Sequence, residues 1–148
     1  MRYFEDMVVG EKRAFGSRSV TREEVIDFAS KYDPQPFHLD DEAAAKTHFG
    51  KMAASGWHTC AMTMSMMVAH FVEEEQAGLG SPGVDELRFV KPVFPDDTLR
   101  CESEVLDKQQ SRSRPEMGIL RTQIRTFNQH GTEVLRFIGI SMMQTRGG

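Results

Sequence analysis

A carboxylate and an imidazole stand five residues apart in the segment Asp33-Pro34-Gln35-Pro36-Phe37-His38. Proline fixes its own φ angle, so the two prolines stiffen this loop and restrict where both side chains can lie. Histidine titrates near neutral pH, and a carboxylate can share proton transfer with it. The pair suits the addition of water across a polarised double bond. We predict that Asp33 and His38 are catalytic; the competing interpretation of Asp33 is a turn cap before Pro34.

A second segment, Ala54-Ser55-Gly56-Trp57-His58, precedes a long apolar run. The first amides of a helix have no partner within the helix, and the helix dipole favours negative charge there. Gly56 has no side chain to obstruct a carbonyl, so a thioester carbonyl at this amide would be stabilised as it becomes an oxyanion. We predict an oxyanion and substrate-binding site formed by Gly56, Ser55, Trp57, Gln35 and His58.

Several of these side chains also have purely structural explanations. Trp57 and His58 could line an acyl pocket or pack internally, and His70 suits a hydrogen-bonded core position. The methionines from Met62 to Met67 could pack in the core and also form an adaptable acyl pocket. The five histidines lack short ligand spacing, so no metal site is expected.

Charged residues set limits on the ligand. The formal net charge of −4 argues against a nucleic-acid partner that binds through a strongly basic surface. Arg112 and Arg114 are either solvated loop charges or contacts to the phosphates of a ligand. The two cysteines, Cys60 and Cys101, form neither a zinc spacing nor a disulfide framework.

The helical elements follow from caps and apolar patterns. Thr21 and Glu24 form a capping box, which predicts a helix over 22–32 that stops before Pro34. A second short helix is predicted over 40–48, with Asp40 as its cap. From 59 to 72 nearly every residue is apolar or small, so we predict one central helix buried on all sides and too short to span a bilayer.

The remaining elements are strands. Residues 11–19 predict a weak first strand or an extended arm, and four further strands are predicted over 84–94, 98–106, 117–127 and 132–144. A hairpin turn is predicted at 128–131, and a longer mobile connection at 107–116. Together these helices and strands predict a single α+β domain over 1–148. In it a long antiparallel sheet wraps around a buried helix, which is the hot-dog architecture. An exposed sheet edge invites pairing, so we expect a homodimer or a dimer of dimers.

Three motifs and one strand resemble the MaoC-like dehydratase family, which includes (R)-specific enoyl-CoA hydratases. They are Asp33-x-x-Pro36-x-His38-x-Asp40, Phe49-Gly50, Ser55-Gly56-x-His58-Thr59 and the strand from Arg88 to Leu99. The resemblance spans roughly residues 10–145. It implies a hot-dog dimer and syn hydration of trans-2-enoyl-CoA to (R)-3-hydroxyacyl-CoA, with Asp33 and His38 catalytic and Gly56 the oxyanion donor. Where many members have Asn and Ser, this chain has Gln35 and Met64.

The sequence thus predicts a hydratase or dehydratase that needs no redox or metal cofactor and acts on a thioester of coenzyme A or acyl-carrier protein. Two alternatives are an acyl-CoA thioesterase on the same fold and a non-catalytic acyl-CoA-binding subunit. The N-terminus does not have the pattern of a signal peptide, and no transmembrane segment is expected, so the predicted location is cytoplasmic. Spacing leaves acyl length, branching and reaction direction open.

Overall fold

Capping side chains fix where the helices begin. The computed structural model describes residues 1–147. Helix α1 spans Arg22–Tyr32, and both hydrogen bonds of the predicted capping box between Thr21 and Glu24 are present. Helix α2 spans Asp41–Ala45 and is shorter than predicted, with the Asp40 carboxylate accepting a hydrogen bond from the Ala43 amide at 3.0 Å. A short 3-10 turn, Pro36–His38, separates the two helices.

Five strands form one antiparallel sheet in the order β1-β3-β4-β5-β2. Their bounds are β1 Lys12–Ser19, β2 Gly78–Phe89, β3 Thr98–Gln110, β4 Met117–Phe127 and β5 Glu133–Gln144. The alternation of apolar and polar residues gave β4 correctly. The hairpin turn at 128–131 is also confirmed, with the Gly131 amide donating to the Asn128 carbonyl.

Two strands, β2 and β3, differ from prediction by more than one residue. Strand β2 begins at Gly78 because a stretch rich in glycine pairs with β5, although its composition is typical of a turn. It ends at Phe89, ahead of Pro92, which has no amide hydrogen to donate to a strand ladder. Strand β3 continues to Gln110, since its polar end remains paired with β4, so residues 107–110 are strand and the connection is shorter than expected.

Helix α3, Gly56–Glu73, lies on the concave face of the sheet. Met62, Met66 and Met67 are buried against the core residues of β3, β4 and β5. This confirms the predicted hot-dog arrangement. One side of α3 differs from the expectation of burial all round, because Met64 and Val68 are about half exposed. No helix among residues 1–147 is long and apolar enough to cross a membrane.

Candidate active site

Asp33 directly follows α1, where its amide still donates to the Ala29 carbonyl at 2.9 Å. Its carboxylate accepts two hydrogen bonds of 2.7 Å, one on Oδ1 from Gln35 Nε2 and one on Oδ2 from Ser55 Oγ. Burial raises the pKa of Asp33, but the hydrogen bonds from Gln35 and Ser55 and the nearby His38 outweigh it, and the net pKa lies below its ordinary value. Asp33 is therefore a carboxylate at neutral pH.

His38 ends the 3-10 turn, and only 5% of its surface is exposed. Its Nδ1 lies 2.7 Å from the carbonyl oxygen of Ala53. A carbonyl only accepts hydrogen bonds, so Nδ1 donates, and the neutral ring carries its lone pair on Nε2. That Nε2 lies 3.3 Å from Asp33 Oδ2. The ring of Phe37 packs edge-on against the imidazole, and the two rings leave His38 little freedom.

Ser55 links this pair to helix α3. It is the N-cap residue, and its hydroxyl accepts a hydrogen bond from the Trp57 amide at 3.2 Å while donating to Asp33. The side chain is fully buried. Both functions of the hydroxyl are thus occupied by the protein, which favours a positioning role for Ser55 over direct contact with a substrate.

Gly56 is the first residue of α3, beside the Asp33 carboxylate that Ser55 holds. Within residues 1–147 its amide donates to no backbone carbonyl, as expected at a helix N-terminus. An added Cβ at this position would come within 2.8 Å of the Phe89 ring of β2. Trp57 packs edge-on against the same ring and is itself exposed. A side chain at this position would therefore have to displace the half-exposed Phe89 ring.

His58 lies apart from this arrangement. Its ring stacks on Phe28 of α1, with a centroid distance of 4.7 Å, and only 5% of its surface is exposed. Among the described residues its Nδ1 has no hydrogen-bond partner. Burial lowers the pKa of His58; Glu24 opposes this shift and Arg18 reinforces it. The contacts of His58 are therefore those of a neutral packing residue.

The structure brings Asp33, His38, Ser55 and Gln35 into one hydrogen-bonded group at the start of α3, next to the Gly56 amide. Two partners were not found from the sequence. The Ala53 carbonyl is a backbone atom that no side-chain pattern marks, and Phe89 is distant in the chain from the glycine it covers. In residues 1–147 no cluster of three or more His, Cys, Asp or Glu residues has the geometry of a metal site.

A cavity of about 510 Å³ lies farther along α3, between its second half and the sheet. Met64, Met67, Val68 and Phe71 line the helical side, and the walls are mostly apolar. None of the predicted site residues lines it within the described chain. The polar group and the apolar cavity thus occupy opposite ends of the same helix. This separation suits a ligand with a reactive polar head and an apolar tail.

The sequence model of the MaoC-like domain family matches residues 6–126. A MaoC-like dehydratase from Rhodospirillum rubrum is 37% identical, with a TM-score of 0.87 and 99% of each chain covered. The unliganded R-hydratase PhaJ1 from Pseudomonas aeruginosa is 26% identical, with a TM-score of 0.72 over 97% of this chain and 86% of the other. Mesaconyl-CoA hydratase from Cereibacter sphaeroides is 39% identical over 64 residues, which are 43% of this chain but 18% of that protein.

Proposed function

This chain belongs to the family of MaoC-like dehydratase domains, and we propose that it interconverts a trans-2-enoyl thioester and an (R)-3-hydroxyacyl thioester. A hydratase or dehydratase activity in general is supported by the family and by its R-hydratase neighbour. The observation that carries the proposal is the 3.3 Å approach of His38 Nε2 to Asp33 Oδ2 beside the start of α3. The local similarity to mesaconyl-CoA hydratase supports a coenzyme A thioester as substrate.

The chemistry needs one water and returns the acid–base pair to its starting state. In the hydration direction, His38 Nε2 takes a proton from water as the water oxygen bonds to the β-carbon. The double-bond electrons move towards the thioester carbonyl, whose oxygen becomes negative at the Gly56 amide and the positive end of the α3 dipole. The Asp33–His38 pair then delivers one proton to the α-carbon, and the carbonyl re-forms.

The acyl tail has an apolar route from this site to the cavity. Trp57, Ala61, Met64 and Val68 recur at helical spacing along the exposed side of α3. Helical rise is about 1.5 Å per residue, so Met64 lies roughly 12 Å along the axis from Gly56. The cavity begins there, and methionines adapt to tails of different shape. We propose that this cavity holds the acyl chain.

A homodimer accounts for the apolar surface that the single chain leaves uncovered. Exposed apolar side chains cluster on α3 and at the edge of β2, namely Met64, Val68, Val72, Val84 and Phe89. Within residues 1–147, β2 also has no neighbouring strand on one side. Both features suit pairing with a second copy of the chain. Light scattering should detect a dimer that Val68→Asp weakens and that Ile119→Asp, an exposed aliphatic position of β4, leaves intact.

Hydration of crotonyl-CoA tests the proposed activity. We expect loss of enoyl absorbance with the native protein, formation of the (R)-3-hydroxy product, and loss of activity in Asp33→Asn and His38→Ala. His130→Ala, in the exposed 128–131 turn, is the matched control and should retain activity. Circular dichroism would establish that the variants stay folded. Near-normal rates in both site variants would contradict the assignment.

The same assays separate the two alternative functions. A thioesterase would release free coenzyme A thiol from acyl-CoA, and we expect no release above background, because α3 carries no carboxylate before Glu73. A binding subunit would retain acyl-CoA in calorimetry without converting it. Either result, obtained with folded native protein that shows no hydration activity, would replace the proposal.

A cytoplasmic location stays a prediction.

A further inference from the structure

The cavity has one charged end, in contrast to its apolar walls. Arg2, Glu11, Arg13, His70 and Glu74 line this end, which we term the charged end. Glu74 is the C-cap residue of α3. Arg2 and Glu11 come from the N-terminal segment that precedes β1. An acyl tail that runs along α3 from Gly56 meets these side chains last. The residues are brought together by the fold, since Arg2 and Glu74 are 72 positions apart.

The charged side chains of this end form ion pairs with one another. Glu74 pairs with Arg2 at 2.5 Å, with Arg13 at 3.1 Å and with His70 at 3.0 Å. Glu11 pairs with Arg2 at 3.2 Å and with Arg13 at 2.9 Å. Two arginines thus balance two glutamates. Among the described residues that line this end, no arginine is left over for a ligand carboxylate, so the geometry disfavours recognition of an anionic acyl terminus.

The N-terminal segment that supplies Arg2 is firmly attached. The Arg2 amide donates to the Glu75 carbonyl, and the Ala77 amide donates to the Arg2 carbonyl, both at 2.8 Å. The Phe4 ring lies so close to Gly118 that an added Cβ there would be 2.4 Å from it. Arg146 also bonds the Asp6 carboxylate from the C-terminal side. The charged end is therefore a fixed part of the cavity.

We propose that the charged end is a stop that limits the length of the acyl chain. This inference rests on the proposed function. A methyl terminus that entered the Arg2–Glu74 region would remove water from paired charges without replacing their solvation, which is unfavourable. Chains that end in the apolar part of the cavity avoid this cost, whereas longer chains meet it. Arg2 and Glu74 are thus specificity-determining residues, and the preferred substrates are enoyl thioesters with an unsubstituted hydrocarbon terminus short enough to end before His70.

The test compares chain-length profiles. Hydration of crotonyl-, octenoyl-, dodecenoyl- and hexadecenoyl-CoA is measured for the native protein and for Arg2→Leu/Glu74→Leu, which replaces the ion pair with apolar groups. We expect the native kcat/KM to fall at the longest chains, and the ratio of hexadecenoyl to octenoyl kcat/KM to rise at least about tenfold in the double variant, a change of about 1.4 kcal/mol. Arg2→Met/Glu74→Gln serves if the first variant does not fold.

Arg146→Ala is the matched control, because it breaks an ion pair of the same N-terminal segment without altering the cavity lining. Its chain-length ratio should equal the native ratio. An unchanged ratio in the Arg2/Glu74 double variants would overturn the stop, and so would a native preference for an ω-carboxylated chain. In either case, hydration of crotonyl-CoA by the native protein would still uphold the proposed function. If no substrate is hydrated, calorimetric binding of octanoyl- and hexadecanoyl-CoA gives the same ratio, and an unchanged binding ratio would still overturn the stop.

Discussion

His38 and His58 are equally buried, yet their surroundings differ in kind. The His38 ring has a carbonyl acceptor at Nδ1 and a carboxylate at Nε2, whereas the His58 ring is stacked on Phe28 and its Nδ1 has no partner in the described chain. Burial alone lowers the basicity of an imidazole. A buried histidine becomes useful for proton transfer when fixed hydrogen bonds orient it and a charge compensates its proton, and only the surroundings of His38 provide both.

The largest expected effect separates the two rings directly. His38→Gln removes the base and should lower kcat/KM for crotonyl-CoA by about 10²–10⁴-fold, the usual contribution of general acid–base catalysis. His58→Gln should leave kcat/KM within about threefold, because His58 bonds neither Asp33 nor the Gly56 amide. Enoyl absorbance measures both variants. An equal loss of activity in the two would mean that His58 takes part in the reaction.

Ser55→Ala tests the link between the Asp33 carboxylate and helix α3. We expect kcat to fall roughly tenfold, corresponding to about 1.4 kcal/mol, since the charge-assisted bond to Asp33 is lost. Loss of the cap should also reduce the free energy of unfolding by about 1 kcal/mol. Thr21→Ala, at the cap of α1, is the control that should lower stability by a similar amount with no effect on kcat. Equal kinetics in the two variants would argue against a positioning role.

His58→Phe sharpens the comparison through stability. The pKa of His58 lies below 6.5 in the folded chain, so the unfolded chain binds the proton more readily as the pH falls. The part of the stability that depends on neutral His58 is therefore present above about pH 6.5 and is lost as the pH falls through the lowered pKa of His58. Phe keeps the stack and removes the unpaired nitrogen, so the variant should be more stable by about 1 kcal/mol at pH 7. Urea unfolding across pH measures this; the same acid dependence in both proteins would contradict it.

The smallest expected effect concerns Gln35, which donates to the other oxygen of Asp33. Gln35→Ala should raise the pKa of Asp33, because one of the bonds that hold it low is removed. The acid limb of the kcat/KM profile should move to higher pH by less than about one unit, since an exposed hydrogen bond contributes about 1 kcal/mol. Gln109→Ala, on a distant part of β3, is a suitable control. A profile that does not move would separate Gln35 from the titration of Asp33.

Local sequence signals predicted much of the fold. The capping box at Thr21 and Glu24 predicted α1 correctly, and the alternation in β4 gave both of its ends. Asp33 and His38 were found because residue type, prolines and short spacing coincide in one segment. Their catalytic role stays a prediction, but the structure does bring them within 3.3 Å of each other.

Long-range contacts explain what the sequence did not reveal. The Ala53 carbonyl orients His38 through a backbone atom, and any buried residue there would supply the same acceptor. The early start of β2 was missed because glycine, serine and proline are typical of turns, and pairing with β5 overrides that preference. The one-sided exposure of α3 depends on which face meets the sheet. A uniformly apolar sequence contains no signal for that choice.

The irregular pairing of β2 has a consequence for ligand capacity. Its register against β5 shifts three times between Gly78 and Arg88, and in the described part of the chain β5 is its one neighbouring strand. Such a strand opens locally at low cost, so its amides should exchange with deuterium sooner than those of β4. Gly80, Ser81 and Val84 of this strand also bound the cavity. A second copy that pairs with β2 would restrict local opening of this wall, and dimer formation would then affect which acyl chains the cavity accepts.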